Sequence, residues 1–415
     1  MQSGTKPGVS GESPRKRDRP PSIVVGITHP QTCLVLPARL RALKAAGFHV
    51  VLLCSPGGLL DRIAREEDVE TVTIPIRREM APLADVVALI RLCRILRRLQ
   101  PDMAEFSTPK AGLLGCLAAR LCNIPVRVYM LRGLRLETLT GLKRRILLAA
   151  ERMAASCAHY VVCNSGSLQA KAAFLQVAPP AKLRLLGSGS SNGVDIERFS
   201  PGPERMRKVL GIPCDAPVVG FVGRITRDKG VPELIEAFET ILTEAPDARL
   251  LVVGWFDQSE DAVSDDLRRK IECHPRIVHT GYVDDTAPYY RAMDVMVLPT
   301  WREGFPNVVL EAAATGIPVV TTIATGSRDA VLPEVTGLLI PAGYPAAIAE
   351  SVLRLLRNPD DRVRMGRAAR GWVLESFVNG QVLGLTVAFY RNLIEAAAED
   401  HPPVVFSTDA AAAGD

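Results

Sequence analysis

The chain has 415 residues, too many for one ordinary domain, and its 47% hydrophobic and 23% charged content is that of a soluble globular protein with material for two cores. No apolar run reaches the ~18 residues of a membrane span, and the nine cysteines include no C-x-x-C pair, which favours reduced thiols over a disulfide or zinc framework. The net charge of +5 conceals a split: residues 1–200 carry 29 Lys and Arg against 15 Asp and Glu, whereas residues 201–415 are net acidic, so the first half is expected to face an anionic partner.

The opening MQSGTKPGVSGESPRKRDRPP (1–21) is polar, basic and proline-rich, which predicts a disordered tail rather than a signal peptide, and HPPVVFSTDAAAAGD (401–415) reads the same way. From Ser22 short β-branched runs alternate with helical patterns: SIVVGITH, HVVLLCS, ETVTIPI, DMAEFST, VRVYMLR, AHYVVCNS and KLRLLGSG predict strands, with segments such as ARLRALKAAG and DVVALIRLCRILRRLQ between them. That rhythm predicts βαβ units and a parallel sheet covered on both faces. Within the second of those segments Arg91, Arg94 and Arg98 share one helical face, and GLKRRILL (141–148) sets three bases beside an apolar run. Both patterns fit a helix covering a sheet with its bases in water, and equally a basic surface that docks on anionic lipid.

At GSGSSNGVDIERFSPGPE a Gly/Ser/Pro-rich joint near residues 187–203 interrupts the rhythm; the place of GSGSSNG at that joint predicts a flexible turn rather than a phosphate loop. It then restarts with PVVGFVGR, DKGVPELIEAFETILTEAP, ARLLVVG, RIVHTGYV, TAPYYRAM, DVMVLPT and TGLLIPA. The prediction is therefore two Rossmann-like domains, 22–195 and 196–400, facing a cleft, with the last helices free to cross back. In open parallel sheets ligands bind beyond the carboxyl ends of the strands.

Four features of the second half fall at such ends. GFVGRITRDKG places Arg224 and Lys229 around a helix start, and two cations beside free N–H groups can hold a diphosphate without a metal. HTGYVDD exposes backbone at Val283 that can read the edge of a flat base. REGFPNVVLEAAATG puts Glu303 in a loop before a helix predicted over 306–315, with Pro306 at its first position and Gly316 as its stop, and puts Glu311 inside that helix. Taken alone, Glu303 reads as readily as an acid placed by the helix dipole. No D-x-D triplet ends a strand, no H-x-x-x-H spacing occurs, and neither G-x-G-x-x-G after the first strand nor a P-loop is present. Metal, NAD and P-loop chemistry are accordingly not expected.

GRITRDKG followed by EGFPNVVLE, with Glu303 and Glu311 in an E-x7-E frame, resembles the retaining nucleotide-sugar glycosyltransferases of family 4, which have the GT-B fold. STPKAGLLG (107–115), MLRGLRLETLTGLKRR (130–145) and GSGSSNGVD are similar to the subgroup that builds capsular and other bacterial surface polysaccharides. The resemblance spans roughly 22–395. It implies an α/β GT-B fold and roles residue by residue. Arg224 and Lys229 would neutralise the donor diphosphate, Glu311 would bind ribose hydroxyls, and Val283 would contact the base. Glu303, with the backbone of Gly304, Phe305, Pro306, Asn307 and Val308, would hold the transferred sugar. Retention would follow front-face attack, with the leaving phosphate taking the acceptor proton.

Implied partners are a nucleotide-sugar, most readily a UDP-sugar with GDP-mannose open, and a lipid-linked (polyprenyl diphosphate) or saccharide acceptor. An anionic membrane surface is expected as a further partner and nucleic acid is not, since the basic half has few aromatics. The chain is expected at the inner face of the cytoplasmic membrane, working without metal or cofactor. The sequence departs from the family pattern in one place: where many members carry a histidine facing the sugar, this chain has Arg132-Gly133. Arg132 is either a donor or acceptor contact or a solvated loop charge, and Lys110 either an acceptor-phosphate anchor or a helix-start residue. Thr28 and Gln31 are further acceptor-side candidates. An epimerase or phosphorylase on the same fold, or a binding protein without turnover, are the competing readings.

Overall fold

The computed structural model describes residues 19–77 and 81–399. Most of the two tails expected to be disordered lies outside the described residues. Of the stretch 1–21, the described residues are tied down: Arg19 donates to the Gln100 carbonyl at 3.3 Å and the Pro21 carbonyl accepts from His49 N at 2.9 Å.

Seven parallel strands form the first sheet: β1 (Ser22–Gly26), β2 (His49–Cys54), β3 (Glu70–Thr73), β4 (Met103–Ser107), β5 (Val126–Leu131), β6 (Tyr160–Cys163) and β7 (Leu183–Leu185), in the order β3-β2-β1-β4-β5-β6-β7. The second has six: β8 (Val218–Val222), β9 (Arg249–Val253), β10 (Ile277–His279), β11 (Val295–Leu298), β12 (Val319–Thr322) and β13 (Gly337–Ile340), ordered β10-β9-β8-β11-β12-β13. Both are doubly wound sheets whose order reverses beside the first strand, at β1/β4 and at β8/β11, and that reversal opens a crevice at the carboxyl edge. The central strands are buried along their whole length, for example all five residues of β1, β4 and β8, whereas the edge strand β3 has no buried residue. Continuous Val/Ile/Leu runs form such strands because both faces are covered.

The helices of the first half include α1 (Pro37–Ala45), α2 (Gly58–Glu66), α3 (Pro82–Leu99), α4 (Pro109–Leu121) and α5 (Gly141–Cys157). α3 buries Ala88, Leu92, Cys93 and Leu96 and leaves Arg91, Arg94 and Arg98 exposed. Its other outward residues are not all polar, since Leu83, Val86, Val87 and Ile90 are exposed too. A stripe with its bases in water and its apolar side fully covered is therefore an incomplete description of this helix.

The stretch 187–195 is not a flexible turn. Residues 189–194 are buried, Ser190 N donates to the Asn164 carbonyl at 2.7 Å, Asn192 Nδ2 to the Val35 carbonyl at 2.6 Å, and Val194 N to the Phe377 carbonyl at 2.8 Å. Its glycines answer to close backbone approach. A Cβ on Gly193, where φ is +64°, would lie 2.5 Å from the Phe377 carbonyl oxygen.

The last helix, Asn379–Glu399, crosses back to the first sheet, where Phe389, Tyr390, Leu393 and Ile394 join the core of Ile23, Val25, Leu40 and Val128. Tyr390 Oη donates to Glu105 Oε2 on β4 at 2.5 Å, and Arg39 of α1 pairs with the same carboxylate at 2.7 Å and reaches the tyrosine hydroxyl. All three are at most 1% exposed. Burial alone would lower the Arg39 pKa, but the Glu105 carboxylate and Tyr390 outweigh it and hold it above its ordinary value.

Candidate active site

Between the carboxyl edges of the sheets lies a cleft of about 1290 Å³. Its second-half wall is built at the ends of β8, β9 and β11. After β8 the chain turns at Gly223 (φ +146°) into Arg224, and the space for that turn depends on Gly254, whose Cβ would lie 1.8 Å from the Gly223 carbonyl oxygen. Arg224 pairs with Asp257, whose side chain is 8% exposed. Lys229 ends a short 3₁₀ turn capped by Gly230 in the left-handed region (φ +72°), from which the helix Val231–Glu244 departs.

Lys229 pairs with Glu303 Oε1, and both side chains are about 15% exposed, at 16% and 14%. The helix after Glu303 runs Asn307–Thr315 with Pro306 as its N-cap residue, one place earlier than the first-turn position expected for it. Gly316 closes the helix in the left-handed region, φ +85°. The first N–H groups of any helix lack intrahelical acceptors, and here they begin four residues after Glu303 on the same loop. Phe305 is 7% exposed and packs on Phe377 at 5.2 Å between ring centroids, so its side chain belongs to the core and only its main chain is available to a ligand.

Glu311 sits deeper, accepting a hydrogen bond from Tyr290 Oη at 2.8 Å. Burial pushes its pKa up, with the Tyr290 bond pulling the other way. Asp228, beside Lys229, behaves oppositely: burial opposes ionisation, but Lys229, the nearby Thr226 hydroxyl, Arg302 and Arg224 together hold the carboxyl below its usual range. Val283 packs on the second core from the rim, and Trp255 meets Tyr282 edge-on at 5.5 Å, which gives this end of the cleft an aromatic border.

The first-half wall holds Thr28, Gln31, Lys110, Arg132 and Gly133, and the structure brings all five to the same cleft as Arg224, Lys229, Val283, Val308 and Glu311. Their situations differ. Thr28 is 6% exposed and bridges two elements, its Oγ1 2.6 Å from Thr108 Oγ1 and accepting from Ala111 N at 3.0 Å, so it fixes the start of α4. Gln31 is half-buried in the turn after β1, its N donating to His29 Nδ1 at 3.3 Å. Lys110 forms an ion pair with Asp85 of α3 at 2.8 Å.

Arg132 is not a solvated loop charge. Its Nη1 donates to Ser191 Oγ at 3.2 Å, whereas Nε and Nη2 are sealed from solvent and have no hydrogen-bond partner among the described residues. Burial, reinforced by the Arg39 charge, lowers its pKa to about 10. The loop it stands on meets the Glu303 loop backbone to backbone. A Cβ on Gly304 would fall 2.1 Å from the Arg132 carbonyl oxygen, and one on Gly133 (φ +130°) 3.3 Å from Gly304 N. Glycine at both places lets the two walls touch beside the Lys229–Glu303 pair.

Sequence reasoning missed Asp257, Asp228, Arg302 and Tyr290. Arg302 Nη2 meets Asp228 at 2.9 Å and Thr138 Oγ1 of the opposite half accepts from its Nε at 3.2 Å, so it spans the cleft mouth. Asp228 alone carried a signal, as the acid inside DKG. Among the described residues no group of three or more His, Cys, Asp or Glu is placed to hold a metal ion, and no helix is long and apolar enough to cross a membrane.

Two family descriptions match the chain: "Glycosyl transferase 4-like domain" over residues 38–189 and "Glycosyl transferases group 1" over residues 216–358. The capsular polysaccharide biosynthesis glycosyltransferase CapM of Staphylococcus aureus is 36% identical over 355 residues, 85% of this chain and 92% of that one. The UDP-Gal:alpha-D-GlcNAc-diphosphoundecaprenol alpha-1,3-galactosyltransferase of Escherichia coli is 26% identical over 80% of this chain and 85% of its own. In fold, the chain is similar to Anabaena HepE in complex with UDP and glucose, with TM-score 0.73 and 18% identity over 89% of this chain and 99% of that one.

Proposed function

The chain belongs to the family 4 glycosyltransferases of GT-B fold, and from that premise we propose that it transfers a hexose or N-acetylhexosamine from a nucleotide-sugar, with UDP-sugars favoured, to a lipid-linked or saccharide acceptor in surface-polysaccharide synthesis. The observation that carries this reading is that Arg224 and Lys229, each paired with an acid, Asp257 and Glu303, at neighbouring strand ends, line one cleft with Glu311. The two cations stabilise the diphosphate as charge develops on it, when the interaction is strongest. Glu303 takes sugar hydroxyls together with the backbone from Gly304 to Val308, while Lys229, held beside it, faces the phosphate. Glu311 takes the ribose. Retention follows from front-face attack, the leaving phosphate accepting the acceptor's proton.

The UDP-sugar preference is supported by the relative whose name specifies UDP-Gal and by the UDP-bound structural neighbour. The test is a panel of UDP- and GDP-sugars incubated with the purified chain, reading slow release of the nucleotide diphosphate into water. A UDP-sugar should turn over fastest, and no turnover of any donor would overturn the reading.

Metal-free turnover is part of the proposal, because Arg224 and Lys229 supply the positive charge at the diphosphate. Excess EDTA should leave the rate within about twofold. Complete loss, restored by Mg²⁺ or Mn²⁺, would refute it.

The chain is further proposed to work at the inner face of the cytoplasmic membrane, held by the outward arginines of α3 and by Lys143, Arg144 and Arg145 of α5, each base contributing ~1 kcal/mol near anionic lipid. Replacing Arg91, Arg94 and Arg98 together by Gln should weaken sedimentation with phosphatidylglycerol vesicles at least tenfold, and raised salt should do the same to the wild type. Binding that ignores both changes would overturn the electrostatic attachment.

A further inference from the structure

Helices α3, α4 and α5 follow β3, β4 and β5, so their N-terminal ends all rise at the carboxyl edge of the first sheet, beside the cleft. α4 is the middle one and packs against both neighbours. Its flanking helices begin without cover. The first fully buried residue of α5 is Glu151; before it Leu147 and Leu148 pack on the core, whereas Leu142 is 71% and Ile146 42% exposed. On α3, Leu83 is 86%, Val86 56%, Val87 48% and Ile90 46% exposed. Six aliphatic side chains thus stand exposed on the two helices that flank α4, and exposed apolar surface of that kind marks a contact surface.

The rim continues inward. Pro82, Leu113, Leu139, Ile146 and Leu147 line the cleft itself, and so do Lys110 and Lys143. Charge decides the occupant. α3 carries four arginines against a single acid, Asp85, which is paired with Lys110, and residues 141–150 carry three bases and no acid. A second copy of this chain would set bases against bases. An anionic amphiphile satisfies both features, its hydrocarbon along the aliphatic rows and its phosphate at Lys110 and Lys143.

We infer that the groove between α3 and α5 is the binding site for the chain and phosphate of a lipid-phosphate acceptor, entered sideways from the bilayer. This rests on the lipid-linked reading of the acceptor and places it on particular residues. Long-chain binding then contributes beyond surface charge, and the acceptor's head arrives at the side of the cleft formed by Thr28, Lys110 and Arg132.

The test uses the full chain with phosphatidylcholine vesicles that are plain, doped with a few mole per cent of a long-chain polyprenyl phosphate, or doped with phosphatidylglycerol to the same surface charge. Binding to the polyprenyl phosphate vesicles should exceed binding to the phosphatidylglycerol vesicles at least tenfold and persist in high salt. The triple variant Leu83→Ser/Val86→Ser/Leu142→Ser should lose that excess, with its melting temperature and UDP affinity reporting an intact fold and donor site. Equal binding to the two charged vesicles would overturn the site, as would a triple variant that binds like the wild type. So would a concentration-dependent dimer that the triple variant abolishes, since the face would then hold another copy. Release of nucleotide from a nucleotide-sugar by the wild type, read in the same samples, separates failure of this site from failure of the transferase reading.

Discussion

Lys229→Ala is expected to lower kcat at least ~10²-fold, equivalent to ~2.7 kcal/mol of transition-state stabilisation, the scale on which single electrostatic stabilisers act. Arg224→Ala should behave similarly. Lys229 is held between a glycine-capped turn and Glu303, and Arg224 between Gly223 and Asp257, so each cation is positioned before substrate arrives. Pre-placed charge costs little reorganisation as the bond breaks, which is why its removal falls on kcat. Glu311→Ala should instead raise KM for the donor with a smaller change in kcat, because ribose contacts are nearly the same in ground and transition states. Steady-state kinetics on the preferred nucleotide-sugar separate the cases. Near-normal kinetics in Lys229→Ala would remove the diphosphate from its assigned place.

The second large effect lies outside the cleft chemistry. Glu151 of α5 is 4% exposed and accepts a hydrogen bond from Tyr129 Oη at 2.6 Å. Burial raises its pKa to about 7, the tyrosine bond opposing. In the unfolded chain the carboxyl titrates near ~4.3, so the folded state holds the proton more tightly. The stability this contributes is fully present below that unfolded value, falls as pH rises through about 7, and is flat above. The span corresponds to roughly 4 kcal/mol. Glu151→Gln keeps an acceptor for Tyr129 without the charge, so it should melt higher than the wild type at pH 8 and converge with it below pH 5. Parallel pH curves for the two proteins would show that the carboxyl ionises freely in the fold.

The sheets were legible because buried parallel strands are written as continuous β-branched runs, and β8 in PVVGFVGR or β11 in DVMVLPT need no partner to be recognised. Arg224, Lys229, Glu303 and Glu311 were legible because their spacing places them at strand ends and a helix start. Asp257, Arg302 and Tyr290 were not, since each acts through a partner far along the chain, and charge or hydroxyl alone does not reveal pairing. GSGSSNG misled because glycine serves both freedom and close packing, and only the distances from Gly189 to the Asn164 carbonyl and from Gly193 to that of Phe377 tell which. GLKRRILL was legible as amphipathic. That Leu147 and Leu148 pack on the core while Leu142 and Ile146 stay exposed depends on where the neighbouring helix ends, and no local pattern encodes that.

The crossing of the last helix bears on the order in which the chain is completed during synthesis. Tyr390 meets Glu105 across 285 residues of sequence and Arg39 across 351. While the ribosome is still extending the second half, the first carries Arg39 and Glu105 beneath an open apolar face that Phe389, Leu393 and Ile394 will later close. The half made first is therefore the half that matures last. A chain released at about residue 378 would present an assembled second domain and a first domain that a holdase chaperone can still grip.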